Sequence, residues 1–308
     1  MSGSPAGLPA AAVADRVEIR DVGPRDGLQA EAPVAVADRI RLIEALQDAG
    51  VAHIEAAAFV SPRVVPAMAD AGAVLAGVHR RPGVTYAALV PNERGAELAL
   101  ASGVDELTVT ISVSETYNRR NVKMGTAESE AVIGSVCALA GSVPVDAVVS
   151  CAFGSPYEGD IAPAEVAALA ERLLGSGCAR ITCADTTGMA TPRRIAELVD
   201  VTSADIGLHL HDTRGTALVN AYAGLERGVR RFDTAVGGLG GSPFAAGAAG
   251  NLATEDLVAL LDDLGVHTGI DVDALVGVAA MVAEVVGHPV PGRVATAGPR
   301  TRLAAPDG

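Results

Sequence analysis

Short runs rich in β-branched residues alternate along the chain with longer Ala/Leu/Glu segments whose apolar positions recur every three to four residues. The first pattern suits a strand buried on both faces and the second an amphipathic helix, so the alternation predicts βα units and a parallel sheet. Eight rounds are present, with strands predicted over 17–21, 53–57, 85–90, 106–112, 145–151, 180–184, 206–211 and 231–235, each followed by a helix. Pro66, Pro163 and Pro192 stand near first helical turns, and Thr191 before Pro192 fits an N-cap. Gly50, Gly103, Gly177 and Gly228 precede Val51, Val104, Cys178 and Val229, as expected where a helix stops and turns into the next strand. No low-complexity linker divides the repeats, and closure removes both sheet edges, so one α/β domain with a (β/α)8 TIM barrel over 16–270 is expected rather than two doubly wound domains. Residues 1–15 read as a flexible tail, and 271–308 as an appended helix over 272–286 with a Pro/Gly-rich tail.

Composition sharpens this picture. The 308 residues are 49% hydrophobic and 19% charged, enough for a large core despite a net charge of -14. Aromatic residues are 3% and Trp is absent, so the core is expected to consist of Ala, Val, Leu and Ile. With 23 Lys and Arg against 37 Asp and Glu, a nucleic-acid partner is not expected, and an anionic substrate needs a local basic patch. Cys137, Cys151, Cys178 and Cys183 lack C-x-x-C spacing and the density of a secreted scaffold, and read as reduced thiols of a cytoplasmic protein. The first 15 residues carry no basic signal region. Apolar runs fall short of the ~20 residues of a membrane span, so no membrane partner is expected.

Active sites of such barrels lie at the carboxyl ends of the strands, and reactive residue types gather there. Gly23-Pro24-Arg25-Asp26-Gly27-Leu28-Gln29 follows strand one, Glu55 lies on strand two, Asp185-Thr186-Thr187-Gly188 follows strand six, and strand seven ends His209-Leu210-His211-Asp212. A spacing of two on a strand puts both imidazoles on one face, here the barrel interior. Together with Asp26 and Asn251 they offer a mixed N/O set that suits Mg²⁺ or Mn²⁺ better than a thiolate zinc site. The competing reading makes the histidines packing residues and leaves Asn251 or Thr254 as a helix cap. Glu55 either holds Arg25 or a ligand, or reaches solvent; Asp185 either shapes a turn or binds substrate. The Gly-rich run over 237–251 is a lid, an anion cradle or a plain connector.

These residues resemble the 3-hydroxy-3-methylglutaryl-CoA lyase family of metal-dependent TIM-barrel lyases. The matching segments are VGPRDGLQ (22–29), EAAAFVSPRVVPAM (55–68), VSCAFGSPYEG (149–159), ADTTGMATP (184–192), HLHDTRG (209–215) and GGLGGSPFAAGAAGNLATEDL (237–257). The resemblance implies that Asp26, His209, His211 and Asn251 hold a divalent cation, which binds the substrate's tertiary hydroxyl and a carboxylate oxygen. It implies retro-Claisen cleavage of an acyl-CoA substrate, with Arg25 as the electrophile facing the developing enolate and Asp26 or His209 taking the hydroxyl proton. Glu55 takes a supporting place, Gln29, Asp185 and Thr186 contact substrate, and a homodimer is expected.

One departure is chemical. The family's lid reads GGLGGCPxA, with its cysteine implicated in proton transfer, and this chain has Ser242 there. A thiol of pKa ~8.5 exchanges protons near neutrality, whereas a hydroxyl orients water or substrate instead. Slow turnover or a different acyl group is therefore expected. Ala56, Ala57 and Arg214 also differ from the family pattern and reshape the acyl pocket. The alternatives are a related lyase or aldolase on another acyl-CoA or a 2-oxo acid, and a non-catalytic acyl-CoA- and metal-binding barrel. A chain of 308 residues favours the stand-alone lyase over relatives with additional carboxyl-terminal domains.

Overall fold

The computed structural model describes residues 16–203, 205–241 and 250–302. Eight parallel strands, β1 (Glu18–Asp21), β2 (His53–Ala58), β3 (Thr85–Leu89), β4 (Glu106–Ser112), β5 (Val145–Ser150), β6 (Arg180–Ala184), β7 (Ile206–His209) and β8 (Arg231–Thr234), pair in chain order, and β8 closes onto β1. The expected TIM barrel is thus the observed fold. The helices are α1 (Val36–Asp48), α2 (Ala71–Gly77), α3 (Glu93–Ala101), α4 (Glu115–Asn121), α5 (Thr126–Ala140), α6 (Pro163–Gly175), α7 (Pro192–Val201), α8 (Ala217–Glu226), α9 (Thr254–Asp263), α10 (Val272–Val286) and α11 (Arg293–Ala297). None is long and apolar enough to cross a membrane among the described residues.

Local signals mark the boundaries well. The Thr191 side chain accepts from the Arg194 amide at the start of α7. Gly50 ends α1 at φ 93°, where a Cβ would collide with the Gly269 carbonyl. Strand seven is shorter than expected: pairing with β6 and β8 runs out at His209, and His211 forms an antiparallel bridge with Asn251 instead. The two imidazoles therefore do not share a strand, although they still converge.

An aliphatic core of Leu, Val, Ile and Ala lies between strands and helices. The barrel interior departs from that expectation because it is ionic. Arg20 contacts Asp146 at 2.7 Å and Glu106 at 3.1 Å, and forks onto both oxygens of Asp233 at 2.8 Å each. His53 bridges Glu18 at 2.9 Å and Glu106 at 3.0 Å. Charges this deep are tolerated only when paired, and breaking one such pair costs ~3–5 kcal/mol.

The carboxyl-terminal segment is packed onto the barrel, and its expected plain tail contains α11. Asp271 caps α10 through the Asp273 and Ala274 amides. Gly292 N donates to the Gly237 carbonyl at 2.9 Å, and Asp256 accepts from Arg293 N at 3.1 Å and Val294 N at 2.7 Å. Val290 and Pro291 press on Gly237 and Gly238, both at positive φ, where a side chain would have no room. This segment therefore braces the root of the Gly-rich run beside the strand ends.

Candidate active site

The turn after β1 is wound on a single carbonyl. Val22 O accepts from the amides of Arg25 (3.1 Å), Asp26 (2.7 Å) and Gly27 (3.1 Å), giving a five-residue helical turn of π type over Gly23–Gly27. A buried Asp21 secures it, accepting from Gly23 N (2.8 Å), Val236 N (3.0 Å) and the Thr254 hydroxyl (2.6 Å). Burial pushes the Asp21 carboxyl up to about 6. The cap reading of Asn251 and Thr254 fails here. The N-cap of α9 is Ala253, Thr254 spends its hydroxyl on Asp21 and Thr234, and Asn251 faces the barrel mouth chemistry.

Asp26, His209 and His211 bring one donor atom each to within 4.8 Å of one another. His209 Nε2 lies 3.1 Å from His211 Nε2 and 4.0 Å from Asp26 Oδ2. Asn251 donates its amide to Asp26 Oδ2 at 2.8 Å and to Leu239 O at 2.9 Å, which leaves Oδ1 buried without a partner among the described residues. Two imidazole nitrogens facing each other at this distance, beside a carboxylate and an unpartnered amide oxygen, form a donor set that a hard divalent cation fits. Burial raises the Asp26 carboxyl, but the charges of Arg25, His209 and His211 more than offset it and leave it at about 2. Burial and the neighbouring His209 push His211 down to about 4. At His209 burial acts in the same sense, yet the hydrogen bond and charge of Asp233 outweigh it and raise the imidazole above its ordinary value.

Arg25 is buried next to this set, with NH1 2.6 Å from Asp26 Oδ1 and Nε donating to Glu55 Oε2. Glu55 is fully buried, so of its two readings the one holding Arg25 matches the structure. Asp185 does form the turn, accepting from Met189 N (2.7 Å) and Ala190 N (2.9 Å) on Oδ1, while Oδ2 stays buried and unpartnered among the described residues; burial pushes the carboxyl up to about 6. The Thr186 hydroxyl accepts from Cys151 N at 2.9 Å, holding the strand-five turn where Cys151 sits at φ 57°. Gln29 is exposed at the end of the Arg25 turn and is not drawn into the cluster. Ser242 lies outside the described residues.

Two residues of this site escaped sequence reasoning. Asp233 on β8 accepts from His209 Nδ1 at 3.2 Å, and Arg20 on β1 grips Asp233. The available signal was an acid and a base at inward positions of adjacent strands, which only the barrel register makes visible. Arg214 donates to the carbonyls of Thr187 (2.7 Å) and Gly188 (2.8 Å), bracing the Asp185 turn. The tail arginines face acids: Arg293 approaches Asp212 at 3.7 Å, Arg300 pairs with Asp263, and Arg302 with Asp273 at 2.9 Å.

Fold and site together define a class, the (β/α)8 barrels that set a His/His/Asp/Asn donor cluster beside a buried arginine at the strand ends. The HMGL-like family profile matches residues 16–282, and the chain belongs to that family. It is 43% identical over 290 residues to the 3-hydroxy-3-isohexenylglutaryl-CoA/hydroxy-methylglutaryl-CoA lyase of Pseudomonas aeruginosa, covering 92% of this chain and 97% of the relative. It is 42% identical over 287 residues to the hydroxymethylglutaryl-CoA lyase YngG of Bacillus subtilis, covering 90% and 96%. The structure of an HMG-CoA lyase from Acinetobacter baumannii in complex with coenzyme A and 3-methylmalate superimposes with a TM-score of 0.90 at 40% identity, covering 95% of this chain and 98% of that one.

Proposed function

We propose that the protein is a carbon–carbon lyase that cleaves 3-hydroxy-3-methylglutaryl-CoA to acetyl-CoA and acetoacetate with the help of a divalent cation, Mg²⁺ or Mn²⁺. The observation that carries this reading is the convergence of Asp26, His209 and His211 donor atoms within 4.8 Å, beside the Arg25–Glu55 pair, in a chain of the HMGL-like family. Asp26, His209, His211 and Asn251 would hold the cation. When bound, it supplies Lewis-acid activation of the substrate's hydroxyl and carboxylate oxygens.

The chain's own groups supply the rest. Arg25, fixed by Glu55 and Asp26, presents positive charge where the thioester enolate develops. Asp26, held at about 2, is a weak base for the tertiary hydroxyl, and His209, whose Nδ1 faces Asp233, would take that proton only through Nε2, the atom it also offers to the cation, so its roles as base and as ligand are alternatives. Asp185 keeps one oxygen free of the turn it forms and offers it to the substrate. The enolate carbon then needs a proton, and Ser242 stands where a more acidic thiol is expected, so this step limits turnover. The Acinetobacter baumannii HMG-CoA lyase structure, which holds coenzyme A, supports an acyl-CoA substrate. The free and mostly buried thiols accord with a reducing compartment, and we place the protein in the cytoplasm, as a homodimer.

The test is a parallel assay of wild type and Ser242→Cys with Mg²⁺ or Mn²⁺, following acetyl-CoA release from 3-hydroxy-3-methylglutaryl-CoA. A slow wild type that the thiol accelerates at least tenfold supports the reading. Absence of cleavage by both proteins, with cation bound, refutes the substrate and redirects the assay to other 3-hydroxy-3-carboxymethyl acyl thioesters.

A further inference from the structure

Asp233 is not among the donors of the cation cluster, yet among the described residues it is the hydrogen-bond partner of His209 Nδ1. Its position follows from barrel register. Arg20 on β1 lies opposite Asp233 on β8, and Asp233 lies opposite His209 on β7, so the three stand at one level on adjacent strands. Arg20 donates Nε to Oδ1 and NH2 to Oδ2, both at 2.8 Å, and the same Oδ2 faces His209 Nδ1 at 3.2 Å. A carboxylate gripped by a guanidinium fork is fixed in plane and acts only as acceptor. His209 Nδ1 must then carry the hydrogen, and the Nε2 lone pair is left pointing at His211 Nε2, 3.1 Å away.

We infer that Asp233, oriented by Arg20, is a positioning residue that sets the tautomer and ring orientation of His209 for cation binding. The inference rests on the cation reading of the preceding subsection. Asp146 provides an internal control. It touches the same arginine, at 2.7 Å, but its other partner is the Thr182 hydroxyl at 2.8 Å and not an imidazole. Removing either carboxylate takes one counter-charge from Arg20; removing Asp233 alone frees His209.

The experiment compares the full-length wild type, Asp233→Ala and Asp146→Ala. Mn²⁺ affinity is measured from the EPR signal of the free ion, and Tm is measured in EDTA. Loss of an outer partner of a ligating histidine weakens metal affinity by about 10- to 100-fold. That loss is expected for Asp233→Ala, with Asp146→Ala within about threefold of wild type and both variants lowered in Tm. Asp233→Asn, which keeps one acceptor oxygen, should fall between wild type and Asp233→Ala. If Asp233→Ala does not fold, the Asp233→Asn and Asp146→Asn pair decides: at least threefold weaker binding by the former supports the inference, and equal binding overturns it. Equal losses at both positions also overturn it, because they mark mere charge balance. Wild type that binds Mn²⁺ with Asp233→Ala unchanged refutes the positioning role alone, whereas wild type that binds none refutes the cation reading and this inference together.

Discussion

Glu255 offers the strongest test of the site's electrostatics. It lies in the first turn of α9, fully buried, with Oε2 accepting from Gly237 N at 3.0 Å and Oε1 without a partner among the described residues. Burial, aided by the nearby charges of Asp256 and Asp21, pushes its carboxyl from 4.5 up to about 8. The unfolded chain therefore ionises this group at its ordinary value, while the folded chain keeps it neutral over the following pH range. Folding takes up a proton in that window, so the stabilising contribution is complete below 4.5 and is lost as pH rises through 8. At about 1.4 kcal/mol per pH unit, the gap between 4.5 and about 8 caps the effect at about 5 kcal/mol. Glu255→Gln is nearly isosteric, keeps an acceptor for Gly237 N and does not ionise. Urea unfolding of both proteins in EDTA, from pH ~4.5 to ~9, gives the difference directly. Asp185, also raised by burial, contributes equally to both profiles and cancels, whereas Asp21 is coupled to Glu255 through its charge and its share of the coupling is part of the difference. The variant should match wild type at the acid end and exceed it by several kcal/mol at the alkaline end. Parallel profiles would refute the claim that Glu255 is folded in its neutral form.

Two further outcomes follow from the same geometry. Arg25→Lys replaces a planar fork that reaches Glu55 and Asp26 at once with a point charge, so kcat for acetyl-CoA release should drop about 100- to 1,000-fold with KM within threefold; an unchanged kcat removes Arg25 from the reaction. Burial pushes the Cys151 and Cys183 thiols up to about 12, and the hydrogen bond with Cys137 together with burial raises Cys178, so thiol titration of the native protein should find at most one fast group, the half-buried Cys137, and all four in denaturant. Two or more fast thiols would contradict the packing around β5 and β6.

Much of this protein is written locally. Strand and helix periods, Thr191 before Pro192 and the glycine at Gly50 are decided within a few residues of chain, and they place the eight βα units to within one or two residues. The chemistry at the strand ends is legible for the same reason: a barrel directs those turns to one face, so Arg25, Asp26, His209, His211 and Asn251 had to come near one another. Other features depend on which strands meet and at what register. The end of β7 at His209 is set by where β6 and β8 stop pairing, and His211 owes its place to a bridge with Asn251. Thr254 looks like a cap in sequence, but Asp21, 233 positions away, takes its hydroxyl. The Arg20–Asp233–His209 line joins the consecutive strands β7 and β8 to β1, 213 positions from Asp233 and adjacent to β8 only because the barrel closes. Sequence alone determined the repeat, the fold and the inventory of reactive groups, because those follow from local backbone preference and apolar period. Tertiary structure decided which group holds which, because hydrogen bonds and ion pairs across the barrel act over ångströms of space and are indifferent to separation along the chain.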